Sequence, residues 1–486
     1  MRERWSSKTI FIFAAIGSAV GLGNIWRFPY MTYKYGGGAF IIPFLIAMVL
    51  LGIPLLILEF AIGQKFQKGP VGAFKKIDSR LRGIGAGAVI SGFIICVYYA
   101  VVMAWTLIYF VKSFSLKLPW AANAENYFFS NVLNLSDSIS SIGGINWVVL
   151  ISLLGIWIAI YFCVRNGVQS IGKALKLFIP LPLILLVVLF FRGITLPGAL
   201  TGIFYYIKPD FTVLFSSELW IAAASQVFFT LSLGFGVMTA YASYNDPKQD
   251  ITKSSIITGI ADGAISLFAG FVVFSIIGYM AQATSSTVAE VATSGPGLAF
   301  VVFPQALSLM PFAAVFSVLF FLTLFSLGID SAFSLVEAVV TVIEDKTKKI
   351  KKETIALVVC AVMFCLGTIF ATDAGLYFLD IFDHFITNFG LILVGIFECI
   401  AVGWIYGAEN IRSFVNSVSD WKIGKWWNVS INYLIPIILG TLLIVQFVNE
   451  LSGNYGGYPS WSIYLGWTVV LVPFVTGLVM VFNNKN

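Results

Sequence analysis

The sequence predicts an all-α membrane protein with twelve transmembrane helices, and three observations support this prediction. Of the 486 residues, 59% are hydrophobic and only 11% are charged, whereas roughly 25% of the residues in soluble domains are charged. The apolar residues form twelve runs, each close to the roughly 20 residues that a helix needs to cross the bilayer core. Most lysines and arginines lie in alternate connections between these runs, as is typical of cytoplasmic loops.

This composition excludes several classes of protein. A chain with so few charges is neither a soluble enzyme nor a disordered protein. The pI is near 8.9, but the cations stand between apolar runs and cannot form one basic face. We therefore expect a lipid bilayer, and no nucleic acid, as the partner of this surface.

Hydropathy places the twelve spans in chain order. They cover residues 9–33, 38–64, 84–113, 145–163, 171–191, 219–243, 253–281, 309–342, 355–372, 377–406, 431–449 and 461–482. If the N-terminus lies inside, the inner segments hold 23 of the 29 lysines and arginines. This asymmetry predicts a multi-pass protein of the cell membrane with a cytoplasmic N-terminus.

Two spans are interrupted at corresponding positions. Residues 19–24 (AVGLGN) interrupt the first span, and residues 231–236 (LSLGFG) interrupt the sixth, five spans later. Glycines in a membrane helix also serve close helix packing, but two matching breaks favour an inverted repeat of five plus five helices, with a binding site at the midplane. We expect a single transmembrane domain, in which 1–191 form the first repeat, 219–406 the second, and 407–486 two accessory helices.

Several motifs that follow in one order along the chain are similar to those of a known family. They are GSAVGLGNIWRFPY (17–30), GGGAF (36–40), YYAVVMAWTL (98–107), RGITLPGA (192–199), SQVFFTLSLGFG (225–236), YASYND (241–246) and LGIDS (327–331), together with Glu59 and Asp383. The chain resembles the neurotransmitter:sodium symporter family, and within it the prokaryotic transporters of leucine and other hydrophobic amino acids. The resemblance implies sodium-driven uptake of a small amino acid or amine by alternating access, and no enzymatic activity.

The resemblance also implies two sodium ions. The first would be held by Ala19, Asn24, Thr230 and Asp262. The second would be held by Gly17, Val20, Leu327, Asp330 and Ser331. Carbonyl, hydroxyl, amide and carboxylate oxygens are hard ligands, which suit a hard cation. Read without the resemblance, the two aspartates are also consistent with buried structural acids that pair with hydroxyl groups.

One position in the first break indicates the substrate class. The amine-carrying members of the family have an aspartate there, whereas this chain has Gly21. The substrate would then bring its own carboxylate, to which Tyr99 would donate a hydrogen bond. We expect a hydrophobic or aromatic L-amino acid. The residues expected around it are Ser18, Ala19, Leu22, Gly23, Ile95, Tyr99, Phe229, Ser232, Phe235, Ser331 and Leu335.

The sequence departs from the chloride-dependent members at two positions. It has Phe44 in place of their tyrosine in the second span, and Asp262 in place of their asparagine in the seventh. We expect charge compensation by Asp262 and transport that does not require chloride. Because a carboxylate without its ion is costly within the membrane, we hypothesise that Asp262 returns protonated, which would give proton antiport.

Gates on both sides of the site are implied by the same resemblance. Arg27 and Asp383 resemble an outer charge pair. The inner network would consist of Arg2, Trp5, Tyr244 and Asp345. Two other functions stay open on the sequence: a proton-coupled amino-acid carrier of the same fold, and an amino-acid sensor that does not transport.

Overall fold

A computed structural model describes residues 3–292, 295–347 and 349–482 of the chain, and these residues are predominantly helical. Extended pairing within them is limited to one bridge, between Ile145 and Thr372. Ten helices are long and apolar enough to cross a membrane, and the bent pair Lys8–Ala19 and Leu22–Lys34 makes an eleventh span. The predicted all-α membrane architecture is confirmed.

We number the spans in chain order, with the bent pair as span 1. Span 6 consists of two helices, Ser217–Thr230 and Val237–Ala242. The other spans are Gly37–Phe66 (2), Ser79–Lys112 (3), Trp147–Val164 (4), Val168–Ile194 (5), Ile251–Ala283 (7), Ala313–Lys346 (8), Lys352–Ala371 (9), Gly375–Val418 (10), Trp426–Gly457 (11) and Ser460–Phe482 (12). The prediction of twelve spans holds only if the two parts of span 6 are counted together, because the break leaves neither part long enough to cross the bilayer.

Shorter helices lie in the connections between spans. They are Pro70–Ile77, Ala124–Asn126, Tyr127–Val132, Ala199–Ile207, Phe211–Phe215, Val288–Val291 and Gly295–Ser308. The helix Pro70–Ile77 joins spans 2 and 3 at the end of the bundle where the chain begins. We call this end the N-terminal face and the opposite end the outer face.

Spans 1, 3, 6, 7 and 8 form the centre of the bundle. Spans 3 and 8 pack on each other along their length, and both halves of span 1 contact span 7 and span 8. Spans 11 and 12 lie at the periphery, where most of their apolar side chains are exposed. Within the described membrane spans, five carboxylates are buried: Glu59, Asp262, Asp330, Glu337 and Glu398. Burying an ionisable group within a membrane protein is energetically costly, and such groups typically serve a function. The centre of the bundle is therefore the candidate location of the functional site.

Candidate functional site

The two breaks leave backbone groups without helical partners at the centre of the bundle. In span 1 the first helix ends at Ala19, Val20 and Gly21 are extended, and the next helix begins at Leu22, with a bend of 53°. Carbonyls at the end of the first helix and amides at the start of the second therefore face the same gap. The first favour a cation and the second an anion.

The break in span 6 faces the break in span 1. Residues 231–236 adopt left-handed backbone conformations at Ser232 (φ +52°), Gly234 (φ +75°) and Gly236 (φ +74°). Glycine, which has no Cβ, adopts such angles without strain. The Ser232 hydroxyl donates to the Ser18 carbonyl at 2.9 Å. This hydrogen bond ties the two broken helices together at one level of the bundle.

The residues predicted for the first ion site lie together beside the breaks. The Asn24 side-chain nitrogen lies 2.8 Å from Asp262 Oδ1, 3.1 Å from Thr230 Oγ1 and 2.7 Å from Ser266 Oγ. An amide nitrogen has two hydrogens for these three acceptors. Thr230 Oγ1 in turn donates to Asp262 Oδ1 at 3.1 Å. Three oxygens from spans 6 and 7 thus crowd one point, which is suited to a cation.

Two further details of this cluster bear on ion binding. The Asn24 side-chain oxygen accepts a hydrogen bond from the Gly21 amide at 2.8 Å, which leaves its second lone pair available. Asp262 is fully buried, and its Oδ2 has no hydrogen-bond partner among the residues described. A buried carboxylate oxygen without a donor is costly, and a bound cation would remove this cost.

The residues predicted for the second ion site divide between two cavities. Gly17, Val20, Leu327 and Asp330 line a small cavity of about 20 Å³ next to the first helix of span 1. A Cβ added to Gly17 would lie 2.7 Å from Asp330 Oδ2, so the carboxylate rests against the backbone there. Asp330 is buried, and its Oδ1 has no partner within the described chain. The fifth residue, Ser331, faces the other way, toward the substrate cavity.

All eleven residues predicted to surround the substrate line one cavity of about 50 Å³ between spans 1, 3, 6 and 8, together with Gly21, Asn24 and Thr230. The Tyr99 hydroxyl is buried and has no hydrogen-bond partner among the residues that the structure covers. A Cβ added to Gly21 would lie 2.8 Å from Ser331 Oγ and 3.5 Å from the Tyr99 hydroxyl. Because Gly21 has no side chain, the Ser331 and Tyr99 hydroxyls can approach the broken backbone closely. We call this region of the cavity the polar corner.

A larger cavity of about 490 Å³ lies above the substrate cavity on the outer face. It is lined by Arg27 and Asp383, the predicted outer charge pair, and shares Tyr99 and Phe229 with the cavity below. The Arg27 guanidinium carbon lies 4.7 Å from the Phe229 ring centroid, and Asp383 Oδ1 accepts from the Tyr98 hydroxyl at 2.7 Å. Arg27 and Asp383 do not form a direct ion pair in this conformation, and each has another partner instead.

The N-terminal face is closed by a network around spans 1, 6, 8 and 9. Of the predicted members, Trp5 Nε1 donates to the Tyr241 carbonyl at 2.9 Å, and the Tyr244 hydroxyl donates to Glu337 Oε1 at 2.8 Å. Asp345 accepts from the Gly69 amide at 2.8 Å and pairs with Lys68 at 3.3 Å. Arg2, the fourth predicted member, lies outside the described residues.

The sequence did not single out Lys352, which is central to this network. Its ammonium nitrogen lies 2.8 Å from Glu337 Oε1, 3.3 Å from Glu344 Oε2, 3.4 Å from Glu3 Oε2 and 3.2 Å from the Tyr244 hydroxyl. Lys352 is the first residue of span 9, and Glu337 lies within the apolar span 8. Neither position alone indicates that the two side chains pair, which follows from the packing of the two spans.

Comparison with known proteins identifies the family of the chain that forms these broken helices and buried carboxylates. A model of the sodium:neurotransmitter symporter family matches residues 2–126 and 121–485. The chain belongs to this family. Membership in the sodium:neurotransmitter symporter family confirms the predicted resemblance, and also the prediction of a sodium-dependent membrane transporter rather than an enzyme.

Individual members of the family are similar to the chain over nearly its whole length. An uncharacterised sodium-dependent transporter of Methanocaldococcus jannaschii is 43% identical over 481 residues, which are 99% of this chain and 97% of the relative. A sodium- and chloride-dependent taurine transporter of Homo sapiens is 35% identical, with 97% of this chain and 82% of the relative covered. A sodium- and chloride-dependent creatine transporter of Bos taurus is also 35% identical, with 97% and 81% covered.

Proposed function

We propose that this sodium symporter carries a hydrophobic or aromatic L-amino acid into the cell together with two sodium ions, independently of chloride. The observation that carries the proposal is the glycine at position 21. It places a buried, unpartnered tyrosine hydroxyl beside the broken backbone, in a cavity whose wall is mostly apolar. Each proposed ion site contains a buried aspartate and shares residues with this cavity, among them Asn24 and Thr230 for the first site and Ser331 for the second.

The substrate carboxylate fits the polar corner between the two halves of span 1. Tyr99 offers a buried hydroxyl without a partner in the described chain. The amides of Leu22 and Gly23 begin the second helix of span 1, where the helix dipole favours a negative charge. Asn24 follows one residue later and connects this corner to the first ion site. A carboxylate bound here would lie next to the first sodium ion.

The other end of the cavity suits an ammonium group and an apolar side chain. Carbonyls at the end of the helix Lys8–Ala19 offer acceptors for the ammonium group, as does the break in span 6. Ile95, Phe235 and Leu335 are buried and form the apolar wall. The Ser18 and Ser334 hydroxyls lie 2.9 Å apart beside this wall, which leaves a polar point for a phenol such as that of tyrosine.

Charge balance supports both the ion number and chloride independence. Two sodium ions bring two positive charges, Asp262 and Asp330 supply two negative ones, and a zwitterionic amino acid adds none. Chloride would then bring an excess negative charge into a site that already holds a fixed carboxylate. When the first ion leaves, protonation of Asp262 would avoid a bare buried charge, which is the basis of our hypothesis of proton antiport.

Orientation in the cell membrane is part of the same proposal. The N-terminal face carries the majority of the lysines and arginines of the connecting segments, and such segments remain in the cytoplasm. Transport from the open outer cavity toward this face is therefore uptake.

Replacing Tyr99 with phenylalanine should weaken amino-acid binding about tenfold, because the substrate carboxylate loses a charge-assisted hydrogen bond. The measurement is equilibrium binding of the radiolabelled amino acid in saturating sodium. Tyr109→Phe is the matched control, since this buried hydroxyl donates to the Phe300 carbonyl, away from the cavity. Equal affinities of Tyr99→Phe and the unmodified protein would contradict the proposed carboxylate position.

The proposed function is tested by a binding panel on the purified protein. Leucine, tryptophan and tyrosine should bind in the presence of sodium and lose affinity in its absence. Glutamate, dopamine and GABA, and the taurine and creatine carried by the named relatives, should compete weakly. A preference for any of these five over the hydrophobic amino acids would refute the proposed substrate class. Binding that is independent of sodium would favour the proton-coupled carrier, and sodium-dependent binding without accumulation in proteoliposomes would favour the sensor.

A further inference from the structure

A cavity of about 760 Å³ opens on the N-terminal face, away from the transport site. Five cations line it: Lys68, Lys75, Lys76, Arg82 and Lys346. They come from the connection between spans 2 and 3, from the start of span 3 and from the end of span 8. We call this cavity the basic cleft.

Negative charge in the basic cleft is scarce. Asp345 is the one carboxylate among the described residues that line it, and this carboxylate already pairs with Lys68 and accepts from the Gly69 amide. Lys75, Lys76 and Lys346 are exposed around the opening. The cleft therefore presents a net positive charge that one carboxylate does not balance.

Arg82 is the buried member of the set. Only 7% of its surface is exposed, Nη2 donates to the Val481 carbonyl at 3.0 Å, and Nε has no hydrogen-bond partner in the described part of the chain. A charged donor held under the cleft without an acceptor is costly. Arg82 lines the cleft, and an anion bound there would offset the charge of this buried guanidinium.

The position of Arg82 follows from the contact between spans 3 and 12. A Cβ on Gly83 would lie 2.9 Å from the Gly477 carbonyl oxygen, and one on Gly477 would lie 2.6 Å from that of Gly83. Only glycine permits this approach of the two backbones. The approach brings the end of span 12 against the guanidinium.

The walls of the cleft are apolar, although its floor and rim are charged. Val71, Gly72, Val342, Val479 and Met480 complete the lining, and Val479 is 49% exposed on the peripheral span 12. The cleft thus opens both toward water and toward the hydrocarbon region beside span 12. A ligand that fits has an anionic head and apolar chains.

We propose that the basic cleft binds the phosphate headgroup of an anionic phospholipid in the leaflet at the N-terminal face. Basic pockets between membrane helices attract such headgroups, and arginine pairs with phosphate oxygens in a planar, bidentate geometry. The apolar wall distinguishes a lipid from free phosphate, which has no chains to place there. This site is separate from the transport site and does not depend on the proposed substrate.

The test uses the full-length protein in detergent micelles, titrated with phosphatidylglycerol or phosphatidylcholine while its thermal unfolding midpoint is measured. A ligand that binds only the folded state raises this midpoint with its concentration. We expect phosphatidylglycerol to raise it and phosphatidylcholine to leave it unchanged. The double variant Lys75→Gln/Lys76→Gln should bind phosphatidylglycerol about tenfold more weakly, because each cation near a headgroup contributes substantially to its attraction.

A matched control removes two exposed cations from the same face outside the cleft, as Lys248→Gln/Lys425→Gln, and should bind as the unmodified protein does. Lys75 and Lys76 are exposed as well, so their replacement should leave folding intact, whereas Arg82→Gln alone carries a risk of destabilisation. Equal loss of binding in both double variants would overturn the proposal, as would equal effects of the two lipids. If inorganic phosphate alone reproduces the rise, the ligand is free phosphate and the lipid assignment is wrong.

Discussion

Replacing Asp330 with asparagine should raise the sodium concentration needed for half-maximal amino-acid binding about 1,000-fold. The carboxylate is buried against the backbone of span 1 at Gly17, and Oδ1 has no partner within the described chain. A unit charge at 4 Å from a cation contributes roughly 4 kcal/mol at an effective dielectric constant near 20. The amide keeps the shape of the side chain but loses this attraction, so the second sodium ion should be lost at ordinary concentrations.

The measurement is a sodium titration of amino-acid binding to purified protein, with thermal unfolding as a check of folding. Glu398→Gln is the matched control, because Glu398 is also a buried carboxylate in an apolar span, with both oxygens unpartnered among the residues described, but lies outside the proposed ion sites. Its sodium titration should match that of the unmodified protein. A folded Asp330→Asn protein with an unchanged titration would remove Asp330 from the proposed ion site.

Asp262→Asn should convert chloride-independent uptake into uptake that requires chloride. The unmodified protein should transport equally well when chloride is replaced by gluconate, since the proposal assigns the negative charge beside the first ion to Asp262. The asparagine variant lacks this charge, so its uptake in gluconate should fall at least about tenfold and recover in chloride. Gln226 lies one helical turn before Thr230, and both polar atoms of its side chain are buried without a partner in the described chain. Its amide is suited to donate to the incoming anion.

The same variant tests the hypothesis of proton antiport. If Asp262 binds a proton when the ion leaves, uptake by the unmodified protein should depend on internal pH, and this dependence should disappear in Asp262→Asn. Proteoliposomes with a fixed outer pH and a varied inner pH give the measurement. A pH dependence that survives the substitution would assign the proton to another group, while a collapse of unmodified uptake in gluconate would refute chloride independence.

The two helix breaks can be predicted from the sequence, because a glycine-rich interruption of an apolar run depends only on neighbouring residues. The break in span 1 was predicted at residues 19–24 and lies at Val20 and Gly21, and the break in span 6 covers 231–236 as predicted. The eleven substrate residues were placed by resemblance, and the structure brings them to one cavity.

Other features depend on tertiary packing and could not be predicted locally. Lys352 lies in a run of exposed lysines, and only the packing of spans 8 and 9 shows that its ammonium group is enclosed by three carboxylates. The predicted direct contact of Arg27 with Asp383 is not made in this conformation, because Arg27 lies over the Phe229 ring instead. Span 10 was predicted to end at residue 406 but continues to Val418, because the amphipathic segment Ala408–Val418 follows it at the N-terminal face.

The close contact at Gly21 constrains how this protein could evolve toward another cargo. The first atom of any side chain at this position would meet Ser331 Oγ at 2.8 Å, and Ser331 also faces the amino-acid cavity. An aspartate acquired here, as in the amine carriers, would therefore displace a neighbouring residue before it could bind an ammonium group. A lineage that exchanges amino acids for amines would therefore need the Ser331 hydroxyl to turn away from position 21, or a smaller residue at position 331.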